Sequence, residues 1–163
     1  MTTPQKDAVK TRTMVEADLP RVNEIDREIS GGERVPTWPF SFETYWNVHR
    51  PKISLVAETG GIVVGFIVGT ITEVEQNQSV LNLRHTIERP STHRRVGWID
   101  MIGIDPASQH AGVGRTLVTA FSEECRRVDA VVKGIAKEND SRLRSFLSAA
   151  GFKPTDLVVY EKD

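Results

Sequence analysis

The apolar positions in the first half of the chain follow a helical period and then a strand period. In EADLPRVNEIDREI (16–29) apolar residues recur every three or four positions, which is typical of one face of a helix, and Asp18 suits its N-cap. Ser41 suits the N-cap of a second helix. Gly60 and Gly61 divide a long apolar run, which predicts a β-hairpin. The predicted elements are a short strand over 10–15, helices over 16–29 and 41–50, and two strands within 53–74.

The second half alternates between short apolar runs and amphipathic segments. Phe121 and Cys125 fall on one stripe of a predicted helix, and Gly151 suits the left-handed residue that ends another. The predicted elements are a strand over 97–106, a helix over 113–128, a strand over 130–137, a helix over 140–151 and a strand over 157–162. Antiparallel hairpins come first and strand–helix–strand units second, which predicts a mixed α/β sheet. We expect a single domain over 1–163, with residues 1–9 flexible.

The composition limits the classes of function. The 163 residues are 39% hydrophobic and 26% charged, with a formal net charge of −1. Such a chain has no bulk attraction to nucleic acid or to an acidic membrane, so we expect neither partner. GIVVGFIVG (61–69) is too short to span a bilayer, and MTTPQKDAVK (1–10) lacks the apolar segment of a signal peptide. With one cysteine, Cys125, no intramolecular disulfide can form, and we expect a cytoplasmic protein.

The stretch QHAGVGR (109–115) lies between a predicted strand and a predicted helix. The first N–H groups of a helix have no partner within it, and the helix dipole adds partial positive charge, so this point favours an anion. Gly112 and Gly114 let an anion approach the backbone, and Arg115 adds a charged donor. The stretch is neither a Walker loop, which needs Gly-Lys-Ser/Thr, nor a dinucleotide fingerprint, which needs a third glycine where Leu117 stands. The alternative is that the two glycines only shape a tight turn.

IGIDPASQHAGVGRTLV (102–118) resembles the acetyl-CoA signature of the GNAT superfamily of N-acetyltransferases, which reads Gln/Arg-x-x-Gly-x-Gly/Ala. Three further segments are similar to the family's first helix, its second and third strands and its Asn-to-Gly-Phe segment: 15–26, 56–69 and 136–154. The resemblance covers nearly the whole chain, in the family's order. It implies an α/β GNAT acyl-CoA N-acyltransferase fold, with a mixed, mostly antiparallel sheet that is splayed between strands four and five and flanked by about four helices.

The resemblance also implies how acetyl-CoA, a co-substrate, is bound. Backbone N–H groups of the signature hold the pyrophosphate, and the pantetheine arm pairs with the backbone of Ile102 and Ile104. Gly103 is expected at the bulge that splays strands four and five. Asn139 either contacts the pantetheine or caps a helix, and Phe146 either lines the coenzyme or packs in the core. The residues assigned to the coenzyme are Ile102, Gly103, Ile104, Gln109, His110, Ala111, Gly112, Val113, Gly114, Arg115, Asn139 and Phe146.

One position departs from the family. Many members carry a tyrosine as general acid four residues before the Gly-Phe pair, where this chain has Leu147 next to Phe146. Tyr160 is the one tyrosine in this half of the sequence and is kept as a candidate acid, although no motif places it at the sulfur. Three alternatives stay open: the thiolate leaves without a side-chain acid, water supplies the proton, or transfer is weak or absent.

The candidate bases are two carboxylates. An alkyl ammonium with a pKa of about 10.4 must lose a proton before it attacks a thioester, and the family often uses a strand-four carboxylate for this. Asp100 stands in the apolar run WIDMIGI, where alternation predicts it on one face with Ile102 and Ile104. A carboxylate there is costly unless it is paired or functional, so an edge-facing or salt-bridged aspartate is the alternative. Glu43, among the aromatics of TWPFSFETYW (37–46), is the second candidate.

The predicted function is direct transfer of the acetyl group of acetyl-CoA to a primary amine in a ternary complex. The acceptor is a small-molecule amine or a protein amine, and the family's tendency to dimerise admits a homodimer. The alternatives are a coenzyme-binding sensor without transfer and an interaction domain without a coenzyme. The four histidines show no metal-ligand spacing, so no metal is expected.

Overall fold

The computed structural model describes residues 8–30, 40–49, 51–73 and 95–155, and within them a five-stranded sheet. The strands, which neighbour one another in chain order, are β1 (Lys10–Thr13), β2 (Ile53–Thr59), β3 (Ile62–Glu73), β4 (Arg95–Ile104) and β5 (Ala130–Gly134). The helices of this part are α1 (Leu19–Ser30), α2 (Phe42–His49), α3 (Val113–Arg127) and α4 (Ser141–Ala149). Neighbouring strands are antiparallel except β4 and β5, which are parallel. The predicted mixed α/β sheet is confirmed.

Helices cover both faces of this sheet. On one face α3 buries an apolar stripe that includes Leu117, Phe121 and Cys125 against β2, β3, β4 and β5. On the other face α1 and α2 bury residues such as Ile25 and Phe42 against the sheet. This three-layer arrangement gives both sides of β4 a helix to pack against. No helix in the described ranges is long and apolar enough to cross a bilayer.

The turn between β2 and β3 has the predicted form. Gly60 and Gly61 have φ values of 58° and 79°, and Thr59 pairs with Ile62 across them. Two consecutive positive φ angles are what a two-residue hairpin turn of type I′ requires. The strand predicted over 157–162 lies outside the described residues.

Asp18 does not have the predicted role of an N-cap. It closes a 3₁₀ turn, Glu16–Asp18, and its buried carboxylate accepts the Val15 N–H at 2.9 Å. Two Arg12 N–H groups donate to it as well, at 2.7 and 2.9 Å. The side chain therefore reaches back toward β1 and joins it to the start of α1. These hydrogen bonds, those from Arg12 above all, hold the pKa of the Asp18 carboxyl below its ordinary value.

We expect Asp18→Asn to lower the free energy of unfolding by about 2 kcal/mol at pH 7, because charge-assisted bonds to a buried carboxylate are lost. A depressed folded-state pKa stabilises the fold above the unfolded-state pKa of about 3.9, and the gain disappears as pH falls through the folded-state value. Urea titrations of both proteins should thus converge in acid. Glu24→Gln removes the exposed ion pair of Glu24 with Arg21 and should cost under about 0.5 kcal/mol. A gap between wild type and Asp18→Asn that stays constant down to pH 2 would contradict this account.

A β-bulge interrupts β4 opposite β3. Val68 pairs with Met101, but the next residue, Gly69, pairs with Ile99, so Asp100 has no residue opposite it. A bulge of this kind places two successive side chains on the same face of the strand. It therefore reverses the alternation of β4 at Asp100.

The bulge corrects two predictions. Ile102 and Ile104 pack on the α3 side of the sheet, whereas Asp100 faces α2, so these three residues do not share a face. Gly103 is not at the bulge either; it lies in regular register opposite Phe66. A Cβ on Gly103 would lie 2.3 Å from Phe66 Cε1, so this glycine makes room for the aromatic ring.

We expect Gly69→Ala to lower the free energy of unfolding by about 3 kcal/mol. An added Cβ would lie 2.1 Å from the Trp98 carbonyl oxygen and 2.5 Å from Phe121 Cζ, and backbone at the bulge cannot move aside cheaply. Urea denaturation would report the change as a lower midpoint with an unchanged slope. The matched control is Gly134→Ala, whose Cβ would meet only Leu147 Cδ2 at 3.9 Å. Equal stability of the two variants would contradict the steric role of Gly69.

Candidate active site

The β5-facing edge of β4 is open over its second half. β5 pairs with β4 from Ala130 to Gly134, and the partner of Gly134 is Ile99, immediately before the bulge. The following stretch 101–104 pairs with β3 alone, as far as the described residues extend. The bulge therefore coincides with the point at which the pairing of β4 with β5 ends. The splay between these strands stays a prediction, because every residue of β5 in the described ranges pairs with β4.

The open edge presents the backbone of Ile102 and Ile104. The Asp105 N–H donates to the Val64 carbonyl at 2.9 Å, so the backbone N–H of Asp105 points toward β3. Backbone groups of alternate residues in an antiparallel strand point to the same side, so Gly103 also points to β3. The N–H and C=O groups of Ile102 and Ile104 then point into the gap. An amide-bearing chain could pair with this edge as an added strand.

A tight turn leads from β4 to α3. The Asp105 carboxylate accepts a hydrogen bond from the Ala107 N–H at 2.8 Å and forms an ion pair with Arg21 of α1. Asp105 is therefore a turn residue, as its position before Pro106 indicates. His110 and Gly112 both have left-handed backbones, with φ of 66° and 82°. These two reversals turn the chain so that α3 starts directly beyond the end of β4.

The first turn of α3 is exposed at Gly112 and Arg115. Thr116 N–H donates to the Gly112 carbonyl at 3.0 Å, so the N–H groups of Val113, Gly114 and Arg115 precede the first bond of the helix. A Cβ on Gly112 would meet no heavy atom within 4 Å, and Arg115 is exposed. The turn thus offers backbone donors and the positive end of the helix dipole to an anion that approaches from outside. We call the space bounded by Gly112, Gly114 and Arg115 the cradle.

Gly114 is required by packing. A Cβ there would lie 2.7 Å from Ile104 Cδ1 and 2.8 Å from Phe146 Cε2, so β4 and α4 both press against the first turn of α3. Phe146 is half-buried and belongs to the α3-side core, in agreement with its packing interpretation. The turn-only interpretation therefore accounts for Gly114. At Gly112 the positive φ accounts for the glycine, and a Cβ there would lie more than 4 Å from every described heavy atom outside its chain neighbours.

The start of α4 lies against the same turn. Arg142 Nη2 donates to Gln109 Oε1, which joins α4 to the first residue of the signature. The helix is capped by Asp140, whose Oδ1 accepts the Leu143 N–H at 2.9 Å, so the N-cap interpretation of Asn139 is wrong by one residue. Asn139 itself is exposed, and its contact with the coenzyme stays a prediction. Sequence reasoning missed Arg142; its position four residues before Phe146, on the same helical face, was the available signal.

Asp100 is held by two hydroxyl groups. Tyr45 Oη donates to Asp100 Oδ2 at 2.7 Å, and Thr70 Oγ1 donates to the same oxygen at 3.0 Å. Tyr45 is a fully buried residue of α2, and its ring stacks on that of His49 with centroids 5.2 Å apart. These two hydrogen bonds give the Asp100 carboxylate polar partners within an apolar strand, and the bulge explains why it faces α2 at all.

Glu43 is not brought to Asp100. Residues two apart on a helix point to nearly opposite sides, so Glu43 is directed away when Tyr45 reaches the sheet. Glu43 is exposed and borders a groove of about 400 Å³ between α1 and α2, whose other lining residues include Leu19, Asn23 and Trp46. Tyr160, the candidate acid, lies outside the described residues. The two candidate bases thus occupy separate places.

Cys125 is a core residue. Its side chain is fully buried in α3 against β4, where a Cβ on Gly97 would lie 2.2 Å from Sγ. Burial raises the pKa of this thiol to about 11, so it is protonated at neutral pH. An acyl-cysteine route is accordingly disfavoured. In the described ranges no three His, Cys, Asp or Glu side chains are grouped as metal ligands.

Comparisons with known proteins agree with this geometry. The profile of the Acetyltransferase (GNAT) family matches residues 19–152. No curated protein sequence matches significantly. Aminoglycoside N-acetyltransferase AAC(6')-Iy, solved with CoA, superposes with a TM-score of 0.72 at 15% identity, covering 99% of each chain.

Two further solved structures are similar. The aminoglycoside antibiotic 6'-N-acetyltransferase of Acinetobacter haemolyticus has a TM-score of 0.68 at 16% identity, over 94% of this chain and 97% of that one. The ribosomal-protein-S18-alanine N-acetyltransferase of Escherichia coli has a TM-score of 0.60 at 18% identity, over 91% and 79%. At such identities these likenesses establish the fold alone.

Proposed function

The chain belongs to the acetyltransferase (GNAT) family, and we propose that it transfers the acetyl group of acetyl-CoA to a primary amine. The observation that carries this proposal is a run of backbone: the edge of β4 over 101–104, which β5 does not pair with, leads along the chain to the first N–H groups of α3. A pantetheine arm needs amide partners along its length and a pyrophosphate needs donors at its end. This run of backbone offers both in that order, with Asp100 at its start.

The residues suited to holding the coenzyme follow from this run of backbone. The backbone of Ile102 and Ile104 would pair with the amides of the pantetheine arm. The N–H groups of Val113 and Gly114 would bind the pyrophosphate oxygens, with the Arg115 guanidinium beside them. Since the fit depends on empty space at the cradle, its most sensitive position is the one at which a Cβ meets nothing, Gly112.

Acetyl transfer to an amine needs a proton acceptor, and Asp100 is our candidate for it. Bound acetyl-CoA supplies an activated carbonyl carbon, at which a nitrogen–carbon bond forms as the carbon–sulfur bond breaks. The acceptor amine, with an ordinary pKa of about 10.4, must first release a proton, and a positioned base contributes to the rate. We assign this proton to Asp100, directly or through water, because Tyr45 and Thr70 hold its carboxylate at the bulge, where the pairing of β4 with β5 ends. The backbone N–H of Ile102 is suited to stabilise the charge that develops on the carbonyl oxygen.

The acceptor is proposed at the level of chemical class only. The names of the similar proteins specify an aminoglycoside antibiotic and an alanine of a ribosomal protein as substrates. The first is a small-molecule amine and the second is a protein amine. Both remain candidate acceptors for this chain. An exposed groove bordered by Glu43 and Trp46 between α1 and α2 suits a cation better than an anion.

The second candidate function is a coenzyme-binding sensor that does not transfer. The observation in its favour is Leu147, a half-buried apolar side chain at the position where many family members have their proton donor. Under this alternative the coenzyme binds as described, and the thioester persists.

Calorimetric titration with acetyl-CoA, followed by a transfer assay, tests the proposal. We expect binding in the micromolar range, about −8 kcal/mol. Aminoglycosides, polyamines and peptides with free N-termini are then offered as acceptors, and release of the CoA thiol is followed together with the mass of the product. Binding with acetylation of one class supports the transferase, and binding without any acetylation supports the sensor. Absence of binding would leave Gly112 and Gly114 as turn residues and would remove both functions.

A further inference from the structure

Arg142, a residue outside the signature, lies beside the cradle and forms no ion pair within the part of the chain that the structure describes. We propose that Arg142 binds the pyrophosphate of the coenzyme and that Gln109 holds the guanidinium ready when no coenzyme is bound. This inference rests on the proposed coenzyme binding, and it goes beyond it by assigning phosphate recognition to a second helix. It requires no acceptor amine and no transfer.

The position of Arg142 follows from the contacts of α4. Phe146 lies one turn further along α4 and would be 2.8 Å from a Cβ on Gly114, in the first turn of α3. Side chains four residues apart share one face of a helix. Arg142 is therefore on the α4 face that covers the start of α3, and its bond to Gln109 Oε1 keeps it at the mouth of the turn. Asp140, the N-cap, fixes where this helix begins.

The hydrogen bond from Arg142 to Gln109 is weaker than the charge-assisted bonds that a guanidinium forms with an anion. An amide oxygen is neutral and takes one of the five N–H donors of an arginine. Within the described ranges no carboxylate forms an ion pair with Arg142. A phosphate, by contrast, offers two charged oxygens that match the guanidinium fork and form charge-assisted bonds of about twice the strength. Exchange of the amide oxygen for a phosphate is thus favourable.

A neighbouring arginine provides the contrast. Arg144 lies two residues further along α4, hence on another side of the helix, and its Nη1 donates to the Glu138 carbonyl at 2.7 Å. Both arginines are exposed, belong to the same helix and contribute the same charge. They differ in direction and in hydrogen-bond partner, so Arg144 is the control for loss of one exposed charge from α4.

The test is calorimetric titration of CoA into the wild type, Arg142→Gln, Arg142→Lys and Arg144→Gln. We expect Arg142→Gln to bind about tenfold more weakly, because it keeps an amide partner for Gln109 but loses the charge. Arg142→Lys should fall between, since it keeps the charge without the fork, and Arg144→Gln should bind like the wild type. The difference between wild type and Arg142→Gln should narrow at 0.5 M salt, because these charges are exposed and screened.

Several outcomes would overturn the inference. Equal affinity of wild type and Arg142→Gln would show that the guanidinium does not reach the phosphate. Equal losses in Arg142→Gln and Arg142→Lys, insensitive to salt, would show that Arg142 only shapes the loop. A loss that vanishes with 3′-dephospho-CoA would assign Arg142 to the 3′-phosphate instead of the pyrophosphate. If the wild type itself does not bind CoA, the proposed function is wrong, and the titration of the wild type alone shows this. If the wild type binds CoA, the variants test Arg142 separately.

Discussion

Gly112→Trp is expected to weaken CoA binding at least 100-fold while the protein stays folded. The glycine hydrogen faces empty space at the start of α3, where a Cβ would meet nothing within 4 Å. An indole at that position would occupy the volume that the pyrophosphate needs and would separate it from the N–H groups of Val113 and Gly114. A 100-fold loss corresponds to about 2.7 kcal/mol, comparable with the loss of charge-assisted bonds to one phosphate. Calorimetric titration of CoA measures it directly.

The substitution also strains the backbone, because φ of Gly112 is 82°. A side chain in the left-handed region costs roughly 1–2 kcal/mol whatever the space available. Gly61→Trp is the matched control: Gly61 has φ of 79°, also meets nothing within 4 Å, and lies in the β2–β3 turn. The two variants should lose similar stability, and only Gly112→Trp should lose CoA. Equal CoA affinity in both would mean that the glycine serves the turn and not an anion.

The fold and the cradle could be predicted because their determinants are local in sequence. Gly60 and Gly61 specify a hairpin turn by their own backbone preference, and the period of apolar residues identifies α3 without knowledge of its neighbours. The stretch QHAGVGR connects a strand to a helix, so its donors are fixed by chain connectivity alone. In each case the relevant residues lie within a few positions of one another.

The surroundings of Asp100 could not be predicted in this way. The bulge in β4 arises opposite Gly69, which is 31 positions away in the sequence and becomes a neighbour only in the sheet. Alternation over WIDMIGI was therefore misleading, because one extra residue exchanges the faces of everything beyond it. Tyr45 looked like one aromatic among several, and nothing near it in sequence signals that its hydroxyl meets a carboxylate on β4. Arg142 was missed for the same reason, since its partner Gln109 belongs to another element.

Asp100→Asn is expected to lower kcat by about 100- to 1,000-fold and to leave CoA affinity unchanged. A positioned general base contributes about 10²–10⁴ to a rate, and an amide of the same shape keeps the packing while it cannot accept the proton. Tyr45→Phe should lower kcat by about tenfold, because the base is then less firmly oriented. The measurement is steady-state kinetics with whichever amine the acceptor panel identifies, alongside calorimetry with CoA.

Combining the two substitutions separates positioning from structure. If Tyr45 acts through Asp100, adding Tyr45→Phe to Asp100→Asn should change kcat no further, whereas independent effects would multiply. Glu43→Gln decides between the candidate bases, since Glu43 faces the α1–α2 groove and not Asp100. Full activity of Asp100→Asn together with a large loss in Glu43→Gln would transfer the role of base to Glu43. Full activity of both variants would mean that water alone deprotonates the amine, and the two hydroxyls would then serve to accommodate a half-buried carboxylate at the bulge.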